Sequence, residues 1–207
     1  MDYIRDGGEI YRHSFATIRS EANLAGLPPD LEPVVVRLIH SCGMTDIVED
    51  LAYSQDVVPI GRRALEQGAK ILCDSEMVAN GITKSRLPAQ NKIICTLNYA
   101  DVPALATKRQ NTRSAVAVDL WREHLAGAVV AIGNAPTALF RLLELLASGY
   151  PKPAVILGFP VGFVGAVESK AALAENPWQI PFLTLKGRRG GSSMAVAAVN
   201  GLAKSAG

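Results

Sequence analysis

From residue 57 onward, short apolar runs take turns with helix-patterned segments, and this rhythm constrains the fold more than any other feature of the chain. The runs are KILC at 70 to 73, KIICTL at 92 to 97, AVVAI at 128 to 132, AVILGF at 154 to 159 and PFLTLK at 181 to 186. A sheet with one wet face alternates apolar and polar residues, whereas a continuous apolar strand is covered on both faces. The segments TRSAVAVDLWREHLAG, PTALFRLLELLASG, ESKAALAEN and SSMAVAAVNGLAKS supply the covering helices. The pattern predicts α/β architecture: five parallel strands between two helical layers, a three-layer α/β/α sandwich. At 207 residues the chain has the length for one domain, residues 1–207.

A helical segment precedes this core. Tyr11, Phe15, Ile18 and Ala22 recur at helical spacing, with Ser14 beside the stripe. A second helix is expected after Pro28-Pro29-Asp30, capped by Asp30, buried through Leu31, Val34, Val35 and Leu38, and stopped at Gly43. Arg37 and His40, three positions apart, share another face of that helix. The helix dipole and the neighbouring guanidinium act on the charge of His40 in opposite directions.

In open parallel sheets, ligands bind at the carboxyl ends of the strands. The loops expected there read DSE, GNAPT, GFPVGFVG and KGRRGGSS, where glycine permits close approach of backbone N–H groups to an anion. Several chemistries lack their signatures. There is no GxxxxGK[ST], Gly158, Gly162 and Gly165 have the wrong spacing for GxGxxG, and no GxSxG is present. His13, His40 and His124 form no HxxxH or HExxH, so no metal site is expected. A net charge of +2 without basic runs argues against nucleic acid. Cys42, Cys73 and Cys95, an odd number without CxxC, read as reduced and mostly buried. The start MDYIRDGGEI lacks the regions of a secretion signal and no long apolar stretch occurs, so a cytoplasmic chain without membrane contact is expected.

Longer motifs say more. GNAPTALFRLLE at 133 to 144, PVGFVGAVESKAAL at 160 to 173 and GRRGGSSMAVAAVNGL at 187 to 202, with SFATIR at 14 to 19, RLIHSCG at 37 to 43, DSEMVANGI at 74 to 82 and NTRSA at 111 to 115, resemble the precorrin-8X methylmutase family. The resemblance covers nearly the whole chain. It implies a flavodoxin-like fold, a homodimer with its site near the subunit interface, and an isomerase that converts precorrin-8X to hydrogenobyrinate in cobalamin biosynthesis. The implied reaction, a 1,5-sigmatropic methyl migration on a tetrapyrrole, calls for no cofactor.

By that resemblance His40 is the catalytic proton donor and acceptor. A macrocycle carrying many carboxylates wants cations and N–H donors around a flat apolar centre. Arg37, Arg113, Lys170 and Arg188 are the expected cations, and Ser14, Thr137 and Ser192 the neutral donors. Asn134, with Ala135 through Thr137, opens a helix whose free N–H groups would hold a further carboxylate. Val161 and Phe163 would line the ring face. Arg37 has an alternative partner in Glu32 or Asp50, and Lys170 in Glu168 or Glu175. A cobalt-precorrin-8 substrate, a non-catalytic corrinoid carrier that hands its ligand to the next pathway enzyme, and a flavin-binding protein are the other readings.

Overall fold

The structure, a computed structural model, describes Met1 and residues 3–203. Its centre is a six-stranded sheet: β1 (Leu51–Tyr53), β2 (Ile71–Cys73), β3 (Ile93–Cys95), β4 (Val129–Ile132), β5 (Val155–Gly158) and β6 (Phe182–Leu185). Their order is β1-β6-β5-β4-β2-β3. The five expected strands are present and mutually parallel. The sixth, β1, corrects the expected count: it pairs antiparallel with β6, Leu51 opposite Leu185. Its three residues are all half-buried, too short a segment to register as an apolar run. Numbered along the chain from β2, the parallel strands lie in the order 2-1-3-4-5, the flavodoxin-like winding.

Two helical layers cover the sheet. One holds α1 (Gly7–Glu21), α2 (Glu32–Cys42), α3 (Val57–Glu66), α4 (Glu76–Gly81) and α10 (Ser192–Ala203). The other includes α6 (Arg113–Asp119), α7 (Arg122–Leu125), α8 (Pro136–Ala147) and α9 (Ala166–Ala174), with α5 (Val102–Arg109) packed on α6. β4, β5 and β6 are buried along their whole length, as continuous apolar strands between two layers must be. The segment expected as one helix, 112 to 127, divides into α6 and α7 around Leu120 and Trp121. Trp121 is fully buried, and its indole N–H donates to Thr96 Oγ1 at 3.0 Å, so the chain turns to seat the ring. The last helix is described to Ala203; the remainder of its expected span lies outside the described residues.

α2 ends as expected, with Gly43 in the left-handed conformation at φ 71°. Its start differs. Leu31, not Asp30, precedes the first helical residue, and the Asp30 side chain caps nothing. The Pro28 carbonyl already accepts the N–H groups of Leu31 and Glu32, at 2.9 and 3.1 Å, which leaves Asp30 inside a turn. Val34, Val35 and Leu38 are fully buried, and the α2 backbone at Val34 comes close enough to α10 that a Cβ on Gly201 would meet it at 3.2 Å. This tight crossing fixes where the end of α2, and therefore His40, stands relative to α10.

The three cysteines are free. Cys73 and Cys95 sit opposite each other on paired strands, and burial pushes both thiols up, Cys95 to about 11. Thiols held protonated in this way are poor nucleophiles. No helix among the described residues is long and apolar enough to cross a membrane.

Candidate active site

A cavity of about 420 Å³ lies between α1, α2, α4 and α10, lined by Tyr11, Arg37, His40, Met77, Ser192, Asn200 and their neighbours. Its volume is within the range of small-molecule sites. His40 stands exposed at its edge with Nδ1 2.8 Å from the Ser14 hydroxyl. The Tyr11 and Phe15 rings flank the imidazole, at centroid distances of 4.9 and 5.5 Å. Ser14 satisfies Nδ1 in either tautomer. No residue among those described bonds Nε2, so the second ring nitrogen is available to a ligand.

Arg37 enters from the same helix but is only 7% exposed. Neither carboxylate weighed as its alternative partner reaches it: Glu32 binds Arg19 at 2.7 Å and Asp50 binds Arg189 at 3.1 Å. Instead Nη1 donates to the Tyr11 hydroxyl at 3.0 Å, and the guanidinium lies 5.3 Å from the Phe15 ring centre. Its Nε is buried with no partner. An arginine buried on aromatic rings without a carboxylate has unspent capacity for an anion.

Asp74, at the end of β2, has a role that sequence reading missed. It is 2% exposed and accepts the N–H groups of Gly133, Asn134 and Ala135 at 2.9, 2.9 and 2.8 Å. Burial pushes its carboxyl up, against the pull of the three N–H donors. The helix opening expected to receive a ligand carboxylate is therefore occupied by the protein's own. Because β2 and β4 flank the reversal of strand order, Asp74 also closes the crevice where flavodoxin-like proteins hold a flavin phosphate. The flavin reading loses its anchor. The cavity lies instead to one side, in the helical layer.

The opening of α10 rests on this closed crevice. A Cβ on Gly133 would stand 2.7 Å from Ser192 Cα and 2.9 Å from Ala195 Cβ. Gly133→Ala is expected to push the α10 start outward and to destabilise the protein by about 1–3 kcal/mol, read from urea unfolding. An unchanged midpoint would mean that α10 shifts freely.

The remaining expected residues divide. Ser192 lines the His40 cavity. Val161, Phe163 and Arg188 line a second one, of about 320 Å³, with Arg188 5.2 Å from the centre of the Phe163 ring. Phe163 is 86% exposed, so it is no core plug. Arg113 borders a separate depression beside α5, and its Nη2 donates to the Leu97 carbonyl and Asn98 Oδ1. Thr137 accepts the Thr112 hydroxyl at 2.9 Å, and the Asn134 side chain is exposed. Lys170 requires a correction. It is 1% exposed, and its Nζ donates to the Arg189 carbonyl at 2.6 Å, bonding neither Glu168 nor Glu175. Tyr11 was legible only as an apolar stripe member; Asn200, whose Oδ1 accepts the Thr83 N–H at 3.0 Å, was a polar residue on an otherwise apolar helix, a usable signal. Among the described residues no group of three or more His, Cys, Asp or Glu could hold a metal ion.

Fold and site together define an α/β protein with a histidine and a carboxylate-free arginine on a half-open cleft, suited to acid–base work on an anionic ligand. The chain belongs to the precorrin-8X methylmutase family, which matches residues 9–205, and is an isomerase of the methylmutase class. It is 66% identical over 203 residues to the precorrin-8X methylmutase of Pseudomonas aeruginosa, covering 98% of each chain. It is 33% identical over 195 residues to the cobalt-precorrin-8 methylmutase of Priestia megaterium, covering 94% of this chain and 86% of that one. The crystal structure of a precorrin-8X methylmutase from Thermus thermophilus matches with a TM-score of 0.84 at 38% identity, over 94% of this chain and 95% of that one.

Proposed function

We propose that this protein converts precorrin-8X to hydrogenobyrinate by a 1,5-sigmatropic methyl migration, with His40 as the group that gives and recovers a proton. The observation that carries the reading is the arrangement at His40: the residue lines the cavity, Nδ1 is held by Ser14, and Nε2 has no partner among the described residues. The migration itself needs no nucleophile, because the conjugated ring supplies the orbital path. Selecting the reactive tautomer needs one positioned acid–base group. Arg37 is a cation lining the same cavity, Ser14 and Ser192 are neutral donors, and Arg188 with Val161 and Phe163 takes the outer part of the ring. Asn134 in the loop after β4, Thr137 in the first turn of α8 and Arg113 at the start of α6 meet the peripheral carboxylates. Neither cavity alone holds a whole macrocycle, which supports a ligand lying across the rim and a homodimer whose second subunit covers it. The higher identity to a precorrin-8X than to a cobalt-precorrin-8 methylmutase supports the metal-free substrate. The reading extends to a single cytoplasmic domain that hands product to the next enzyme of cobalamin biosynthesis.

Mixing purified protein with precorrin-8X and following the visible spectrum tests the assignment. Conversion to the hydrogenobyrinate spectrum is the expected result; binding without spectral change would favour a carrier. Ser14→Ala is expected to keep binding and to lower kcat by about tenfold, since the imidazole loses the hydrogen bond that sets its orientation. A kcat equal to wild type would remove Ser14 from the mechanism.

A further inference from the structure

Lys170 is among the largest fully buried side chains of the protein, and none of the ion pairs among the described residues includes it. Burying an ammonium without a carboxylate costs stability, and a methionine would fill similar volume at no such cost. The lysine therefore calls for a reason beyond packing. Its Nζ donates to the Arg189 carbonyl at 2.6 Å, from beneath the loop that joins β6 to α10. The same loop is held elsewhere as well. The Arg189 guanidinium binds Asp46 and Asp50 at 2.8 and 3.1 Å, Gly162 N–H donates to the Arg188 carbonyl at 3.2 Å, and Gly191 N–H donates to the Phe159 carbonyl at 2.8 Å. What the loop presents is Arg188, which lies over Phe163 and forms no ion pair among the described residues. It then runs directly into Ser192 and Ser193 at the His40 cavity. The loop thus borders one cavity and leads into the other.

We propose that Lys170 is a positioning residue: its buried ammonium holds the Arg189 carbonyl and so fixes the loop that presents Arg188 to the substrate's carboxylates. This rests on the substrate assignment above and adds how its binding is set. A charge-assisted bond to a carbonyl is stronger than a neutral one, so the hold weakens when the amine loses its proton. Burial lowers the Lys170 pKa to about 8, with Asp50 opposing. The charged groups around it are Asp50 and Arg189; on the neighbouring α8, Arg141 is engaged with both Glu144 and Asp119. The sign separates function from stability. Between about 8 and the ordinary lysine value of 10.5 the unfolded chain binds the proton more tightly, so this group makes the fold more stable as pH rises. Substrate binding moves the other way.

The test compares wild type and Lys170→Met by steady-state kinetics on precorrin-8X across this pH range. The expected result is a KM raised about tenfold with kcat within about twofold, and a melting temperature that does not fall. In wild type KM rises as pH passes 8, and in the variant that limb is absent. A wild-type KM in the variant, or an unchanged limb at pH 8, would overturn the proposal. Should the variant not fold, wild type alone decides: a KM flat through pH 8 counts against Lys170 and a rise supports it. A wild type that never converts precorrin-8X refutes the assigned reaction instead. The Lys170 comparison is then made on the Kd for hydrogenobyrinate, titrated by absorbance, with the same outcomes.

Discussion

His40→Ala is expected to lower conversion of precorrin-8X by roughly 10²- to 10⁴-fold, the usual contribution of one positioned acid–base group, while hydrogenobyrinate still binds. The side chain is exposed, and its contacts are the Ser14 hydroxyl and the rings of Tyr11 and Phe15, so its removal leaves no buried group stranded. Melting temperature should stay within a few degrees of wild type. Binding should persist because Arg37 remains buried on Tyr11 and Phe15 and keeps its free capacity for an anion. Single-turnover absorbance spectra and a product titration measure the two quantities separately. A His40→Ala protein that turns over at the wild-type rate would show that the macrocycle finds its tautomer without help from this residue.

The second large effect is expected at Asp74→Asn, which has nearly the same shape. Two carboxylate oxygens now take three backbone N–H groups in a site that is 2% exposed. The amide offers one oxygen and turns an NH₂ group toward donors that have nowhere else to go. Leaving even one buried donor unpaired costs about 1–3 kcal/mol, and facing donor to donor adds to it, so a loss of roughly 2–4 kcal/mol in urea unfolding is expected. The damage should extend to the site, because the Gly133 loop supports the opening of α10 and through it Ser192. If Asp74→Asn unfolds at the wild-type urea midpoint, the three bonds contribute nothing net, and the crevice is held by packing.

These two residues also show what could be read from the chain and what could not. The apolar runs at 70 to 73, 92 to 97, 128 to 132, 154 to 159 and 181 to 186 became five parallel strands, because burial on both faces leaves a signature within each segment. β1 left none: three half-buried residues pair with β6 only once β6 exists. The end of α2 at Gly43 was a local matter of backbone conformation, and it was legible. Its start was not, because the Pro28 carbonyl had already taken the N–H groups that Asp30 would have capped.

The sequence by itself determined the α/β class, the family and the stretches that carry the site, since hydrophobic periodicity, helix stops and extended motifs are properties of neighbouring residues. Only the tertiary structure decided how the charged side chains are used. It seated Asp74 on the 133–135 amides, Lys170 on the Arg189 carbonyl and Arg37 on Tyr11, and left Nε2 of His40 without a partner among the described residues. The physical reason is that a buried polar group must find its partner wherever the fold brings one within about 3 Å, and those partners lie 61, 19 and 26 positions away along the chain.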